Sequence, residues 1–156
     1  MSYDLMVLDK RKRFSNKRDF LSWYDTITEW TDDIDYNDYR HATPSLQNWF
    51  MAIKDIVPPL NGEFAPADGD LGNGEYQEAD YAIATEAIYV AFAWSDAQKV
   101  YNLAERLAKQ FDVALFDICR NRVIYPDGFI LDVDDTQEGP FIALMKKLKN
   151  FFHWGK

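Results

Sequence analysis

The chain has 156 residues, a net charge of −9 at pH 7, 47% hydrophobic residues and 16% aromatic residues. This length is typical of a single domain with one core, and the hydrophobic content excludes a disordered chain. The first residues show no basic leader followed by an apolar run, so we expect neither a secretory signal nor a membrane-spanning helix. Cys119 is the single cysteine, which excludes an internal disulfide and agrees with a reducing compartment. We therefore expect one cytoplasmic domain over residues 1–156.

The first part of the chain predicts one strand and two amphipathic helices. Residues 3–8 form a short apolar run that suits a strand. A helix begins near Ser15 or Asn16, and a second begins at Thr43–Pro44 and ends before Pro58. Apolar residues at spacings of three and four give each helix one buried face. These residues are Phe20, Trp23, Tyr24, Ile27 and Trp30 in the first helix, and Leu46, Trp49, Phe50, Ile53 and Ile56 in the second.

The rest of the chain predicts an exposed loop followed by alternating strands and helices. Residues 60–78 combine glycines, prolines and acids without a regular period, which is typical of a loop. The elements after it are strands at 81–85 and 87–92, a helix with a capping box at Ser95 and Gln98, a strand at 113–116, a hairpin at 122–125 and 129–131, and a helix from Gly139–Pro140. The last helix carries Phe141, Leu144, Met145, Leu148 and Phe152 on one side, and Lys146, Lys147 and Lys149 on the other.

This order of elements predicts an α+β fold, with a sheet of about five strands and helices mainly on one of its faces. A ferredoxin-like variant fits best, because a right-handed crossover from the strand at 87–92 through the third helix makes the strand at 113–116 parallel to it. Fold class alone says little about function.

Charge is the feature that bears most directly on function. From Asp55 to Gln98 the chain has no Lys or Arg and carries nine carboxylates, as many as the net charge of the whole protein. Residues 25–38 are also acidic and free of basic residues. Such surfaces attract basic partners, repel phosphate backbones and gain contact area from tyrosines set among the acids. The predicted partner-binding residues are Asp32, Asp33, Asp35, Tyr36, Asp38, Asp68, Asp70, Glu75, Tyr76 and Glu78.

No motif indicates catalysis, a metal or a cofactor. Residues 68–79 resemble a calcium-binding loop, but Gly72, Asn73 and Ala79 stand where that loop needs an oxygen ligand, a glycine and a glutamate. His41 and His153 lack the spacing of metal ligands, and the glycines of residues 69–74 lie among carboxylates that repel phosphate. The basic run at residues 10–18 is small beside the acidic remainder. We therefore expect no enzyme activity, no cofactor, no metal and no nucleic-acid partner.

Several short segments carry a resemblance to known proteins. They are Tyr3-Asp4-Leu5-Met6-Val7, Phe20-Leu21-Ser22-Trp23-Tyr24, Pro58-Pro59-Leu60-Asn61-Gly62 and Ala91-Phe92-Ala93-Trp94-Ser95. Through them the chain, to about Asp117, resembles a family of small, acidic, uncharacterised bacterial proteins, which implies a bacterial cytoplasmic setting. In general character it also resembles the immunity proteins of contact-dependent inhibition and other polymorphic toxin systems, which implies a protein toxin as the partner.

The leading hypothesis is an immunity protein that neutralises a cognate bacterial toxin, for example a basic nuclease, by covering its phosphate-binding cleft with an acidic surface. Two alternatives stay open. One is an enzyme or small-ligand binder with a pocket between the sheet and the helices, walled by Trp23, Trp49 or Trp94. The other is a housekeeping or oligomeric interaction module. The sequence does not determine the oligomeric state.

Overall fold

The computed structural model describes residues 2–67 and 76–134. The elements are β1 (Ser2–Asp9), α1 (Lys17–Ile27), α2 (Pro44–Ile53), β2 (Asp80–Ile83), β3 (Ala87–Ala93), α3 (Ala97–Gln110), β4 (Val113–Asp117), β5 (Arg122–Ile124) and β6 (Ile130–Asp132). A single 3₁₀ turn, Trp94–Asp96, precedes α3. The helix predicted from Gly139–Pro140 lies outside the described residues.

The described strands form one open sheet in the order β2-β3-β1-β4-β5-β6, and every neighbouring pair is antiparallel. Because β3 and β4 both pair antiparallel with β1, they run in the same direction on either side of it. The first four strands in this order have the ferredoxin-like arrangement, and β5 and β6 extend it. The predicted α+β fold is therefore confirmed, with six strands in place of about five.

The two faces of the sheet bury separate cores. Along β1 the side chains alternate, so Leu5 and Val7 face α2 and α3 while Met6 and Leu8 face α1. The α2 and α3 side is the larger core, with Trp49 and Phe50 of α2 and Leu107 of α3. The α1 side is an aromatic cluster in which Phe20 lies edge-on to Phe116, with ring centroids 4.8 Å apart. Two of the three described helices thus share one face, as predicted.

The N-termini of α1 and α3 show which of the predicted capping residues cap a helix. Asn16 caps α1 by accepting a hydrogen bond from the Asp19 N–H at 2.9 Å, as its sequence position predicts. The prediction of a capping box at Ser95 and Gln98 is wrong, because α3 starts at Ala97 after the 3₁₀ turn and its N-cap is Asp96. The Asp96 carboxylate does not cap the helix and accepts a hydrogen bond from the Gln77 N–H at 3.0 Å.

Two residues assigned to helix faces lie beyond the helix ends. Trp30 follows α1 by three residues and has a positive φ of 54°, so it belongs to the connection to α2. Its ring packs edge-on against Tyr36 and Tyr89. Ile56 follows α2 and is exposed. The apolar spacing therefore continues past the ends of both helices. No helix among residues 2–67 and 76–134 has the length and hydropathy needed to cross a bilayer.

The carboxylate of Asp9 at the end of β1 makes stability depend on acid pH. It is buried and accepts hydrogen bonds from the Arg11 guanidinium and backbone N–H, and the guanidinium bond is the main cause that lowers the pKa of Asp9 from 3.8 to about 2. A lowered pKa stabilises the fold above pH 4, and this stabilisation is lost as pH falls towards 2.

We expect Asp9→Asn to lower the free energy of unfolding by about 1–2 kcal/mol at pH 7. Urea denaturation of both proteins at pH 7 and at pH 2.5 measures the difference, which should shrink at the lower pH. Asp112→Asn is the control, because Asp112 pairs with Lys10 on the exposed surface and exposed pairs contribute little. A difference between wild type and Asp9→Asn that stays constant across this range would contradict the assignment.

Candidate protein-binding surface

The connection between α1 and α2 carries the first group of predicted partner-binding residues. Hydrogen bonds between residues two positions apart shape this connection. The Asp35 carboxylate accepts from the Asn37 N–H at 2.9 Å, and the Asp38 carboxylate accepts from the Arg40 N–H at 3.0 Å. Aspartate commonly forms such turns with the backbone two residues later. The Tyr36 hydroxyl also accepts from the Asp32 N–H at 3.0 Å. The acids are therefore part of an ordered turn structure.

This connection is attached to the outer edge of the sheet. The N–H of Ile83 in β2 donates to the Tyr36 carbonyl at 2.8 Å, and the Ile83 carbonyl lies 2.7 Å from Nε2 of His41. Further along, the N–H and carbonyl of Ala79 bond to residues 58–60. These contacts occupy the outward backbone groups of Ala79 and Ile83, at the two ends of the outer edge of β2. Unpaired groups on an edge strand would otherwise be open to another strand.

Arg40 joins this connection to the segment that follows α2. Its guanidinium makes a bidentate contact with the Glu63 carboxylate, at 2.7 and 3.2 Å, and also donates to Asp38 at 3.0 Å. The two segments approach closely at Gly62, where a Cβ would lie 3.2 Å from the Asn37 carbonyl oxygen, and its φ of 93° favours glycine. Residues 32–40 and 60–64 thus form one continuous surface.

We call Asp32, Asp33, Asp35 and Asp38 the acidic loop. The first three are exposed, whereas Asp38 is half-buried. Within the described residues no Lys or Arg forms an ion pair with the first three, and only Asp38 is paired, with Arg40. Hydrogen bonds from Arg40, first from its backbone N–H, keep the pKa of Asp38 below its usual value. Three uncompensated carboxylates within four positions therefore face solvent.

The predicted tyrosine of this group has a structural role. Tyr36 is half-buried, its ring packs edge-on against Trp30 with centroids 5.3 Å apart, and its hydroxyl and carbonyl both accept backbone hydrogen bonds. It holds the acidic loop against β2, so only part of its ring is open to a partner.

The second predicted group is described only in part. Asp68, Asp70 and Glu75 lie outside the described residues, as does most of the calcium-like segment. Tyr76 is half-buried against the larger core, and Glu78 is half-buried just before β2. Because residues 78–80 lead into β2, Glu78 belongs to the same sheet edge as the acidic loop.

The segment without basic residues is partly neutralised by cations from outside it. Lys54, Arg40 and Lys12 form ion pairs with Asp55, Glu63 and Glu86 respectively, at 2.7, 2.7 and 3.2 Å. The absence of Lys and Arg between positions 55 and 98 therefore does not make that whole stretch an uncompensated patch. Among the described residues, the acidic loop is the better candidate for a strongly negative surface.

The three tryptophans proposed as walls of a ligand pocket lie in different parts of the fold. Trp49 is fully buried between α2 and α3, Trp23 packs on the opposite face of the sheet against Phe14, and Trp94 is exposed. A cavity of about 80 Å³ is lined by Tyr3, Ala97, Gln98, Tyr101 and Arg120, and the Tyr3 ring packs against Trp94 with centroids 5.6 Å apart. Pockets for small organic ligands usually enclose roughly 300–1,000 Å³. These three tryptophans therefore do not wall one cavity.

Besides Asp9, two further carboxylates are buried, and none of the three was predicted to be buried from the sequence. Asp117 at the end of β4 is fully buried and accepts from the Tyr3 hydroxyl at 3.3 Å and from the Arg120 guanidinium at 3.2 Å. Burial is the main cause that raises the pKa of Tyr3 above its ordinary range and that of Tyr101 to about 12. Asp4 in β1 accepts from Ser2 and Tyr89 on the other face. The sequence signal that could have indicated these buried carboxylates is an acidic residue within an apolar strand, as for Asp4, or at its end, as for Asp117.

The cysteine shows no activation. Cys119 is an exposed residue, but the protein atoms around its sulfur partly desolvate the thiol and raise its pKa, which disfavours the nucleophilic thiolate. His41 contacts the Ile83 carbonyl, whereas His153 lies outside the described residues. Within residues 2–67 and 76–134 no cluster of three His, Cys, Asp or Glu side chains is arranged to hold a metal ion.

Comparison with other proteins adds no relative. Neither the protein-family models, nor the curated proteins, nor the solved structures contain a match to this chain.

Proposed function

We propose that this protein binds a basic protein through the acidic loop, and that it acts as a cytoplasmic immunity protein that neutralises a bacterial toxin. The observation that carries the proposal is the set of exposed carboxylates of Asp32, Asp33 and Asp35, which no described cation neutralises. Their loop is held by hydrogen bonds on the sheet edge, so they need little ordering when a partner binds.

The mechanism would be occlusion. Long-range attraction between the acidic loop and a positive cleft accelerates encounter, and direct contacts then exclude the toxin's phosphate-bearing substrate from that cleft. The Arg40 bridge to Glu63 supports this role, because it fixes the position of the loop and Arg40 forms no ion pair with Asp32, Asp33 or Asp35. The backbone contacts of Ala79 and Ile83 hold the loop against β2 and further favour recognition through these side chains.

Affinity capture from the native host, followed by mass spectrometry, tests the proposal without assuming a partner. The baits are the wild type, the triple variant Asp32→Asn, Asp33→Asn, Asp35→Asn, and a control triple variant Asp112→Asn, Asp127→Asn, Asp132→Asn. Both variants raise the net charge equally. The control residues lie next to β4 or in the β5–β6 hairpin, on the other side of the sheet from β2.

A basic protein that is enriched by the wild type and the control but depleted with the first variant would support the proposal. If that protein inhibits bacterial growth when expressed alone, and growth recovers on co-expression with the wild type, the immunity role follows. Equal capture by all three baits, or a captured partner that is not toxic, would overturn the immunity proposal.

A further inference from the structure

Leu60 is an exposed apolar residue on the same surface as the acidic loop. It is 48% exposed and begins the segment 60–64, which Arg40 joins to the acidic loop through Glu63. The other large apolar residues that are exposed in the described part of the chain are Ile56 beyond α2, Trp94 after β3, and Phe129 and Ile130 in the β5–β6 hairpin. Leu60 is therefore the apolar side chain best placed to contact a protein bound at the acidic loop.

The backbone at Leu60 is fixed before any partner binds. The Leu60 N–H donates to the Ala79 carbonyl at 2.8 Å, and the Ala79 N–H donates to the Pro58 carbonyl at 2.9 Å. Pro58 and Pro59 also restrict the preceding chain, because a proline ring fixes φ. The Leu60 side chain is thus exposed on an ordered backbone, so its burial by a partner costs little conformational entropy.

Leu60 and the acidic loop are close enough to share one interface. A Cβ on Gly62 would lie 3.2 Å from the Asn37 carbonyl oxygen. Leu60 is two residues from Gly62, and Asn37 is two residues from Asp35. Because two residues span at most about 7 Å, the Cα atoms of Leu60 and Asp35 lie within roughly 20 Å of each other. A typical interface covers about 800 Å² on each partner, a patch roughly 30 Å across, so one partner can contact both.

Charge alone does not give a long-lived complex. Exposed ion pairs contribute little to binding free energy, and electrostatic attraction acts mainly on the rate of association. Slow dissociation depends on well-packed contacts from which water is excluded. The residues that follow Leu60 leave room for such a contact, because Asn61, Gly62 and Glu63 are small or polar and are all exposed.

We propose that the basic partner covers Leu60 with an apolar side chain that lies beside its own cationic residues. This inference rests on the proposed function, because the acidic loop is what attracts a basic protein to this surface. The acidic loop then accelerates encounter, and Leu60 slows dissociation. Two neighbouring parts of one surface therefore act on two different rate constants.

Binding kinetics with the captured basic protein test this contact at physiological salt. The proteins compared are the wild type, Leu60→Ala, Ile130→Ala, and the triple variant Asp32→Asn, Asp33→Asn, Asp35→Asn. Ile130→Ala is the matched control, because Ile130 is 51% exposed and lies on β6, at the opposite edge of the described sheet from β2. Unfolding midpoints and light scattering of each free protein report whether it is folded and what its mass is.

We expect Leu60→Ala to dissociate about tenfold faster than the wild type, because it removes three carbon atoms that are half exposed and each fully buried CH₂ group changes affinity roughly fourfold. Its association rate should stay within about twofold of the wild type, since interface substitutions act mainly on dissociation. Ile130→Ala should match the wild type in both rates, and the triple variant should differ mainly in association.

An unchanged dissociation rate of Leu60→Ala, together with slow association of the triple variant, would overturn the contact at Leu60 and leave the proposed function in place. Faster dissociation of Leu60→Ala with unchanged association of the triple variant would support the contact and contradict the role of the acidic loop. A smaller mass of free Leu60→Ala than of the free wild type would overturn the inference, because it would assign Leu60 to a contact between two copies of the chain.

Discussion

Replacing Trp49 by alanine should lower the free energy of unfolding by about 3–5 kcal/mol, the range found when a large aromatic side chain is removed from a core. Trp49 has no exposed surface, and its indole N–H donates to the Ala104 carbonyl of α3 at 3.3 Å. The substitution therefore removes an apolar contact between α2 and α3 and leaves a cavity between them. Urea denaturation followed by circular dichroism at pH 7 measures the loss.

Trp94→Ala is the matched control, since the same side chain is removed from a position that is 49% exposed. We expect a loss below about 1 kcal/mol there, because surface substitutions away from special contacts have small effects. If both substitutions lowered stability equally, or if Trp49→Ala cost less than 1 kcal/mol, the packing of α2 against α3 described here would be wrong.

The second large effect is expected on the rate at which the protein associates with its partner. With a captured basic partner, the variant Asp32→Asn, Asp33→Asn, Asp35→Asn should associate about tenfold more slowly than the wild type at low salt, because electrostatic steering raises such rates by 10-fold or more. The reduction should diminish as ionic strength rises, since salt screens exposed charges. Stopped-flow or surface-binding kinetics at 20 mM and at 300 mM salt provide the measurement.

The control is again Asp112→Asn, Asp127→Asn, Asp132→Asn, which changes the net charge equally at the other side of the sheet. Its association rate should stay within about twofold of the wild type, because those positions lie beyond the screening length. Equal slowing by both variants would show that net charge matters and that the acidic loop has no special role. Unfolding midpoints of all three proteins establish that folding is unaffected.

Much of the fold follows from local signals in the sequence. The apolar run in residues 3–8 predicts β1, which lies inside the sheet with both of its faces buried. Asn16 and Thr43–Pro44 mark the starts of α1 and α2 because caps and prolines act on the adjacent backbone. The Pro126–Gly128 turn likewise gives the β5–β6 hairpin, with Gly128 at a φ of 94°.

The candidate site is less predictable because long-range contacts create it. Lys12, Arg40 and Lys54 neutralise acids that appear uncompensated in the sequence, and two of these pairs join residues far apart in the chain. The attachment of Tyr36 and His41 to Ile83 in β2 depends on backbone groups, which the sequence does not distinguish. The burial of Asp117 also depends on long-range structure. A buried carboxylate is costly unless it is hydrogen-bonded, and Asp117 accepts hydrogen bonds from Tyr3, which is distant in the chain, and from Arg120.

Hydrogen exchange of the complex with the captured basic protein locates the surface that the partner covers. We expect exchange to slow at residues 31–40 and at the adjoining β2 edge, residues 79–83, with little change at β5 and β6. Protection confined to the β5–β6 hairpin, or to the cavity beside Tyr3 and Arg120, would contradict a function based on the acidic loop.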